Sequence, residues 1–143
     1  MIRRTALASL CAAAFLLAAP LPAAAADPAG KARVVLQVSD PDPAKWNLAL
    51  NNAKNLQNDL GVANTEIEIV AYGPGIGMLK ADATTANRVI DAMGTGIKVV
   101  ACENTMTNQK MKREDMIDKI SYVKAGVVEL MQRQREGWAY IRP

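Results

Sequence analysis

The sequence predicts a single-domain α/β fold, a doubly wound and mostly parallel sheet with helices on both faces. Three observations predict it. Short apolar, β-branched runs around Val34–Val38, Ile67–Val70 and Ile97–Ala101 alternate with stretches whose apolar residues recur at helical spacing. Single helices between strands imply parallel pairing through right-handed crossovers. The chain has 143 residues, half of them apolar and 22% charged, which is the size of one domain and the composition of neither a disordered nor a fibrous protein.

Ahead of that domain stands an address. Met1 to Arg4 carries two positive charges, Thr5 to Leu17 is almost unbroken apolar sequence, and Pro20 to Ala26 is small-residue sequence. This order reads as a secretory signal over residues 1–26, with cleavage near Ala26, leaving 27–143 as the α/β domain and the periplasm as the expected location. The apolar run is shorter than the roughly 18 residues that span a bilayer, and no stop-transfer run follows, so no membrane span is expected.

The elements then follow in order. Val34, Val35, Leu36 and Val38, within Ala32 to Ser39, suit a central strand buried on both faces. Asp42-Pro43 reads as N-cap and first helical residue, followed by Trp46, Ala49, Leu50, Ala53, Leu56 and Leu60 on one face, with Gly61 as the stop. Thr65 to Tyr72 alternates Glu66 and Glu68 with Ile67 and Ile69, which predicts a strand toward a sheet edge with one wet face. Asp82 is expected to cap a helix carrying Ala86, Val89, Ile90 and Met93 and ending at Gly94. Ile97 to Ala101 is the next strand, with Cys102 at its end. A polar loop from Glu103 to Lys110, a short helix around Arg113 to Ile120, a brief strand at Ser121 to Lys124, a helix from Gly126 to Arg135 and a strand at Ala139 to Ile141 complete the reading.

In such sheets, ligands and reactive groups collect outside the carboxyl ends of the strands. Ser39 to Asp42, Gly73 to Gly77 and Cys102 are therefore expected to share one rim.

Composition narrows the chemistry. The chain has no His, which removes His-based triads, His-held haem and the common His-containing zinc sites. Lys and Arg number 17 against 14 Asp and Glu, and loss of Arg3 and Arg4 with the signal leaves the mature domain at net +1. Near neutrality argues against a nucleic-acid partner. Cys11 departs with the signal, so Cys102 becomes the one thiol of the mature chain. Backbone amides of a following turn would favour its thiolate, with Asn104 and Thr105 adding hydrogen bonds, and Lys110, Lys112 or Arg113 adding positive potential against Glu103. Without a His base a hydrolase is poorly supplied, whereas sulfur transfer needs only a thiolate that can carry a second sulfur.

Two further patterns carry less. Gly73-Pro74-Gly75-Ile76-Gly77 lacks the amide that Pro removes and the Lys-Ser/Thr of a phosphate loop, so a tight turn is the simpler reading, with Gly73 and Gly75 as backbone elements of a binding rim. Met106, Met111 and Met116 could join Cys102 as soft copper ligands, but a spacing of five does not hold one helical face, and Met is ordinary core filler. No metal or cofactor is expected.

The residues Ala101-Cys102-Glu103-Asn104-Thr105-Met106, Tyr72-Gly73-Pro74-Gly75, Gly126-Val127-Val128-Glu129-Leu130 and Glu136-Gly137-Trp138-Ala139-Tyr140-Ile141-Arg142-Pro143 resemble the DsrE/DsrF-like sulfur relay family, especially its exported branch. The resemblance implies a flavodoxin-like sandwich, assembly into trimers or hexamers, and a cysteine that carries persulfide between donor and acceptor proteins, a role that transfers only to Cys102. Two readings follow. In the first, Cys102 is a partly exposed persulfide carrier or sulfurtransferase-like thiol. In the second, the protein is a non-catalytic oligomeric binding module, or a thiol redox sensor, with Cys102 lining a pocket.

Overall fold

The computed structural model describes residues 30–143, so the signal expected over 1–26 lies outside the described residues. Five parallel strands, β1 (Ala32–Val38), β2 (Thr65–Ala71), β3 (Lys98–Cys102), β4 (Ser121–Val123) and β5 (Ala139–Ile141), form one sheet in the order β4-β3-β2-β1-β5. The chain steps outward from β1 to β4, then returns past β1 to place β5 on its far side. Among the described residues no helix is long and apolar enough to cross a membrane.

The first helix, α1 (Pro43–Leu60), starts as its sequence dictates. The Asp42 carboxylate accepts the Ala44 amide at 2.8 Å, Pro43 occupies the first helical position, and Gly61 ends the helix at φ +88°. Its Trp46, Ala49, Leu50 and Ala53 meet Val34, Leu36 and Val38 of β1 and Ile67, Ile69 and Ala71 of β2. Val89 of α2 (Ala86–Gly94) joins the same core. The opposite sheet face is covered by α4 (Gly126–Arg135), whose Leu130 packs with Val35, Val70, Val100 and Trp138. Helices lie on both faces, as expected, but the second core is much the smaller. Each fully buried Val or Leu contributes roughly 1.5–3 kcal/mol, so α4, with Leu130 as its buried apolar side chain, is held by less apolar burial than α1.

Three local expectations are corrected. The strand read as an edge strand, β2, is the middle strand, and only its Glu66 is exposed; Glu68 is fully buried. Alternating carboxylates suggested water on one face, but Glu68 meets cations there: Lys98 Nζ lies 3.1 Å and Arg133 Nη2 2.9 Å from its Oε2. The second helix begins at Ala86 after Thr85, while Asp82 pairs with Lys80 at 3.2 Å instead of capping it. The polar stretch read as a loop is helical at once, α3 (Glu103–Asn108), whereas Arg113–Asp115 makes a single 3-10 turn in place of the expected helix. Sheet geometry stops β3 at Cys102, and the chain turns directly into α3 there. The brief strand, the last helix and the final strand form where the sequence placed them.

Candidate functional site

Parity along β3 decides where the thiol points. Val99 and Ala101 belong to the larger core and Val100 to the smaller one, so Cys102 shares the α4 face. The residue is only 5% exposed, more recessed than the partly exposed thiol expected. Burial follows from the link between β4 and α4, which folds over the strand end. The Cys102 sulfur lies 3.9 Å from the Lys124 carbonyl, and that same carbonyl accepts the Asn104 amide at 3.1 Å. Gly126 then seats α4 on Tyr72: a Cβ there would stand 3.0 Å from the Tyr72 Cβ.

Opposing influences act on the sulfur. Burial pushes the thiol up, while a hydrogen bond from the Thr105 side chain and the amides of Gly126, Thr105 and Asn104 pull it down, and the balance lies below the ordinary thiol value. The Asn104 amide is already given to Lys124, so Thr105 and Gly126 are the firmer donors. The chain can thus stabilise an anion at the Cys102 sulfur.

The three rim loops come together, but their residues divide the work. Thr105 is buried beside the sulfur, and the exposed Asn104 side chain looks outward. Gly73, at φ +53°, donates its amide to Thr105 Oγ1 at 2.9 Å, and its carbonyl accepts Gln109 Nε2 at 3.1 Å. Gly75 approaches the first loop rather than Cys102: a Cβ on it would fall 2.4 Å from the Val38 carbonyl oxygen. Gly77 faces Trp46, where a Cβ would be 3.1 Å from the indole. The expected turn is therefore a 3-10 segment, Gly73–Leu79, locked between the β1 end and α3.

The basic residues do not converge on the sulfur. Arg113 pairs with Glu103 at 2.7 Å and stacks on Tyr122, 4.2 Å from the ring centroid. Met106 and Met116 are buried in the larger core with Met111 packed against it, whereas Cys102 faces the α4 side, so the imagined soft-ligand set is not assembled. Sequence reasoning missed Gly126 as a donor and Lys124 as a cover, because neither residue type signals chemistry and both act through the backbone. It also missed Glu68, although a carboxylate inside an apolar strand was the available signal.

These features define a class, a small flavodoxin-like α/β protein with one recessed, acid-shifted thiol at the carboxyl end of a parallel strand. The sequence pattern of the DsrE/DsrF-like family matches residues 32–143, and the chain belongs to that family, which links it to sulfur relay. Among solved structures it is similar to MTH1491, a protein of unknown function from Methanobacterium thermoautotrophicum, at 36% identity and TM-score 0.74 over 78% of this chain and 98% of that one. It also resembles BT1422, a conserved protein of unknown function from Bacteroides thetaiotaomicron, at 14% identity and TM-score 0.65 over 78% of this chain and 95% of that one. The E. coli protein ychN aligns at 12% identity and TM-score 0.61, covering 80% of this chain and 99% of that one. The last two likenesses concern the fold alone. No curated protein matches the chain.

Proposed function

We propose that this chain is a periplasmic sulfur-handling protein in which Cys102 carries persulfide between a donor and an acceptor protein. The observation that carries the reading is the anion-stabilising surround of the Cys102 sulfur at the sheet's carboxyl rim. The chemistry balances without an external oxidant. The Cys102 thiolate attacks the sulfane sulfur of a donor persulfide or polysulfide, a new S–S bond forms as the donor S–S bond breaks, and the donor leaves as thiolate. An acceptor thiolate then attacks the outer sulfur, and Cys102 leaves as thiolate. No second cysteine of residues 27–143 can intercept the persulfide within the chain.

The test treats the protein with a polysulfide and follows the peptide bearing Cys102. The expected gain is about one sulfur mass, roughly 32 Da, absent in Cys102→Ser. The depth of Cys102 supports the alternative reading, a binding module with the thiol lining a pocket, and absence of sulfur uptake would leave that reading in place.

Assembly and export belong to the same proposal. On α4, Val127, Val128 and Met131 are exposed, and Tyr140 on β5 is 41% exposed, whereas Trp138 is covered by α4 within the chain. Exposed apolar residues of this kind suit an interface between copies of the chain, and the family resemblance implies a trimer or a pair of trimers. Light scattering at micromolar concentration is expected to give a particle of three or six chains, and a monomer would remove the assembly. Intact-mass analysis of periplasmic protein is expected to show loss of residues 1–26.

A further inference from the structure

Arg88 of α2 is held across the gap to α1 by two neutral groups. Its Nη1 donates to the Asn47 Oδ1, and its Nη2 donates to the Asn51 Oδ1 at 2.7 Å. Amide oxygens orient a guanidinium without neutralising it, and three of its five N–H donors are left over. Among the described residues no carboxylate stands at ion-pair distance from Arg88 or from Lys54 of α1. Both cations border a cavity of about 240 Å³ between the two helices. Leu50 and Ile97 give it apolar wall. Further along α1, the buried Gln57 bridges the same gap, its Nε2 donating to the Thr95 carbonyl at 3.0 Å. Hydrogen bonds between the helices thus bracket the cavity at both ends, and the space between them stays open.

Size and charge define what fits. The cavity is smaller than the roughly 300–1,000 Å³ of pockets that take drug-sized ligands, so its occupant is small. Asp91, one turn after Arg88 on α2, also borders it. Two cations and one carboxylate leave the lining with a single positive charge, which favours a monoanion over a dianion. We propose that this cavity is a binding site for a small monocarboxylate with a short apolar tail, Arg88 and Lys54 taking the carboxylate and Leu50 and Ile97 the tail. The site lies on the sheet face opposite Cys102 and is independent of the sulfur-carrier reading.

The experiment titrates the isotope-labelled full chain with sodium butyrate at constant ionic strength and follows backbone amide signals by NMR. Butyramide, of the same shape without the charge, and inorganic phosphate are the companion probes. Butyrate is expected to shift the Leu50, Lys54 and Ile97 amides to saturation in the millimolar range, and butyramide to leave them in place. Arg88→Gln is expected to weaken butyrate binding about tenfold, as loss of one charge-assisted hydrogen bond. Lys54 makes no hydrogen bond or ion pair among the described residues, so Lys54→Gln gives the same comparison if the Arg88 variant does not fold, with an expected loss of about threefold. Absence of a saturable butyrate shift, an equal shift with butyramide, or undiminished binding by the variants overturns the proposal. Phosphate binding as tight as butyrate binding overturns it too, since the cavity would then hold anions without regard to the tail.

Discussion

Arg133 of α4 reaches the carboxylate of Glu68 on the middle strand at 2.9 Å, joining the helix that covers Cys102 to a fully buried acid. Lys98 stands 3.1 Å from the same oxygen, and Glu129 pairs with Arg133 at 3.0 Å. The contacts to Glu68 are at ion-pair distance without the alignment of a hydrogen bond, and its Oε1 has no hydrogen-bond partner among the ordinary donors. Burial pushes the Glu129 carboxyl up, and the neighbouring Glu68 carboxylate pushes it further. The α4 helix is therefore fastened by a charged cluster at one end and by Gly126 over the thiol at the other.

Glu68→Gln leaves Arg133 beside a neutral amide in a largely buried site. Removing one member of a buried pair exposes the desolvation cost of the other. The expected loss is about 3 kcal/mol in urea unfolding. A loss below about 1 kcal/mol would mean that water already screens the cluster.

The Glu129 carboxyl sets a pH dependence whose sign follows from its raised folded value. The stability it contributes is fully present below its unfolded value near 4.5 and is lost as pH rises through the higher folded value. Glu129→Gln keeps a hydrogen-bond donor and cannot ionise. Thermal melts are expected to show the variant gaining on wild type as pH rises through that window, and parallel curves would contradict the raised Glu129 value.

Gly75→Ala places a Cβ 2.4 Å from the Val38 carbonyl oxygen, against backbone that no side-chain rotation relieves. The expected cost is about 3 kcal/mol or loss of soluble protein, at the upper end for overpacking. A variant as stable as wild type in chemical denaturation would show that the two loops separate freely.

Leu130→Ala tests the hold of α4. Leu130 supplies the apolar side of that helix in a core of only five buried residues, whereas Leu50 sits in the larger one. Each truncation is expected to cost roughly 2–4 kcal/mol. Only Leu130→Ala is expected to speed native-state alkylation of Cys102, by loosening the cover locally rather than globally. Equal acceleration by Leu50→Ala would mean that the thiol is reached through global unfolding.

Much of this molecule was readable from local pattern. Asp42-Pro43 and Gly61 bound α1 because capping chemistry acts over a few residues. Gly126 to Arg135 and Ala139 to Ile141 stood out for the same reason, their periodicity being complete within the segment. The strand-end position of Cys102 was equally legible.

What the sequence could not determine was everything that depends on which distant segments meet. Glu68 looked solvent-facing until Lys98 and Arg133, from two other elements, neutralised its buried face. The stretch after Cys102 looked like a loop because its polar composition carries no helical stripe, and only the packing of Met106 and Thr105 against the sheet and the Gly73 loop makes it α3. The Cys102 residue itself was fixed by sequence, but its depth and its donors were decided by Lys124 and Gly126, more than twenty residues later. The physical reason is the same throughout: caps and periodicity are short-range, whereas burial and ionisation are set by the neighbours that tertiary folding brings.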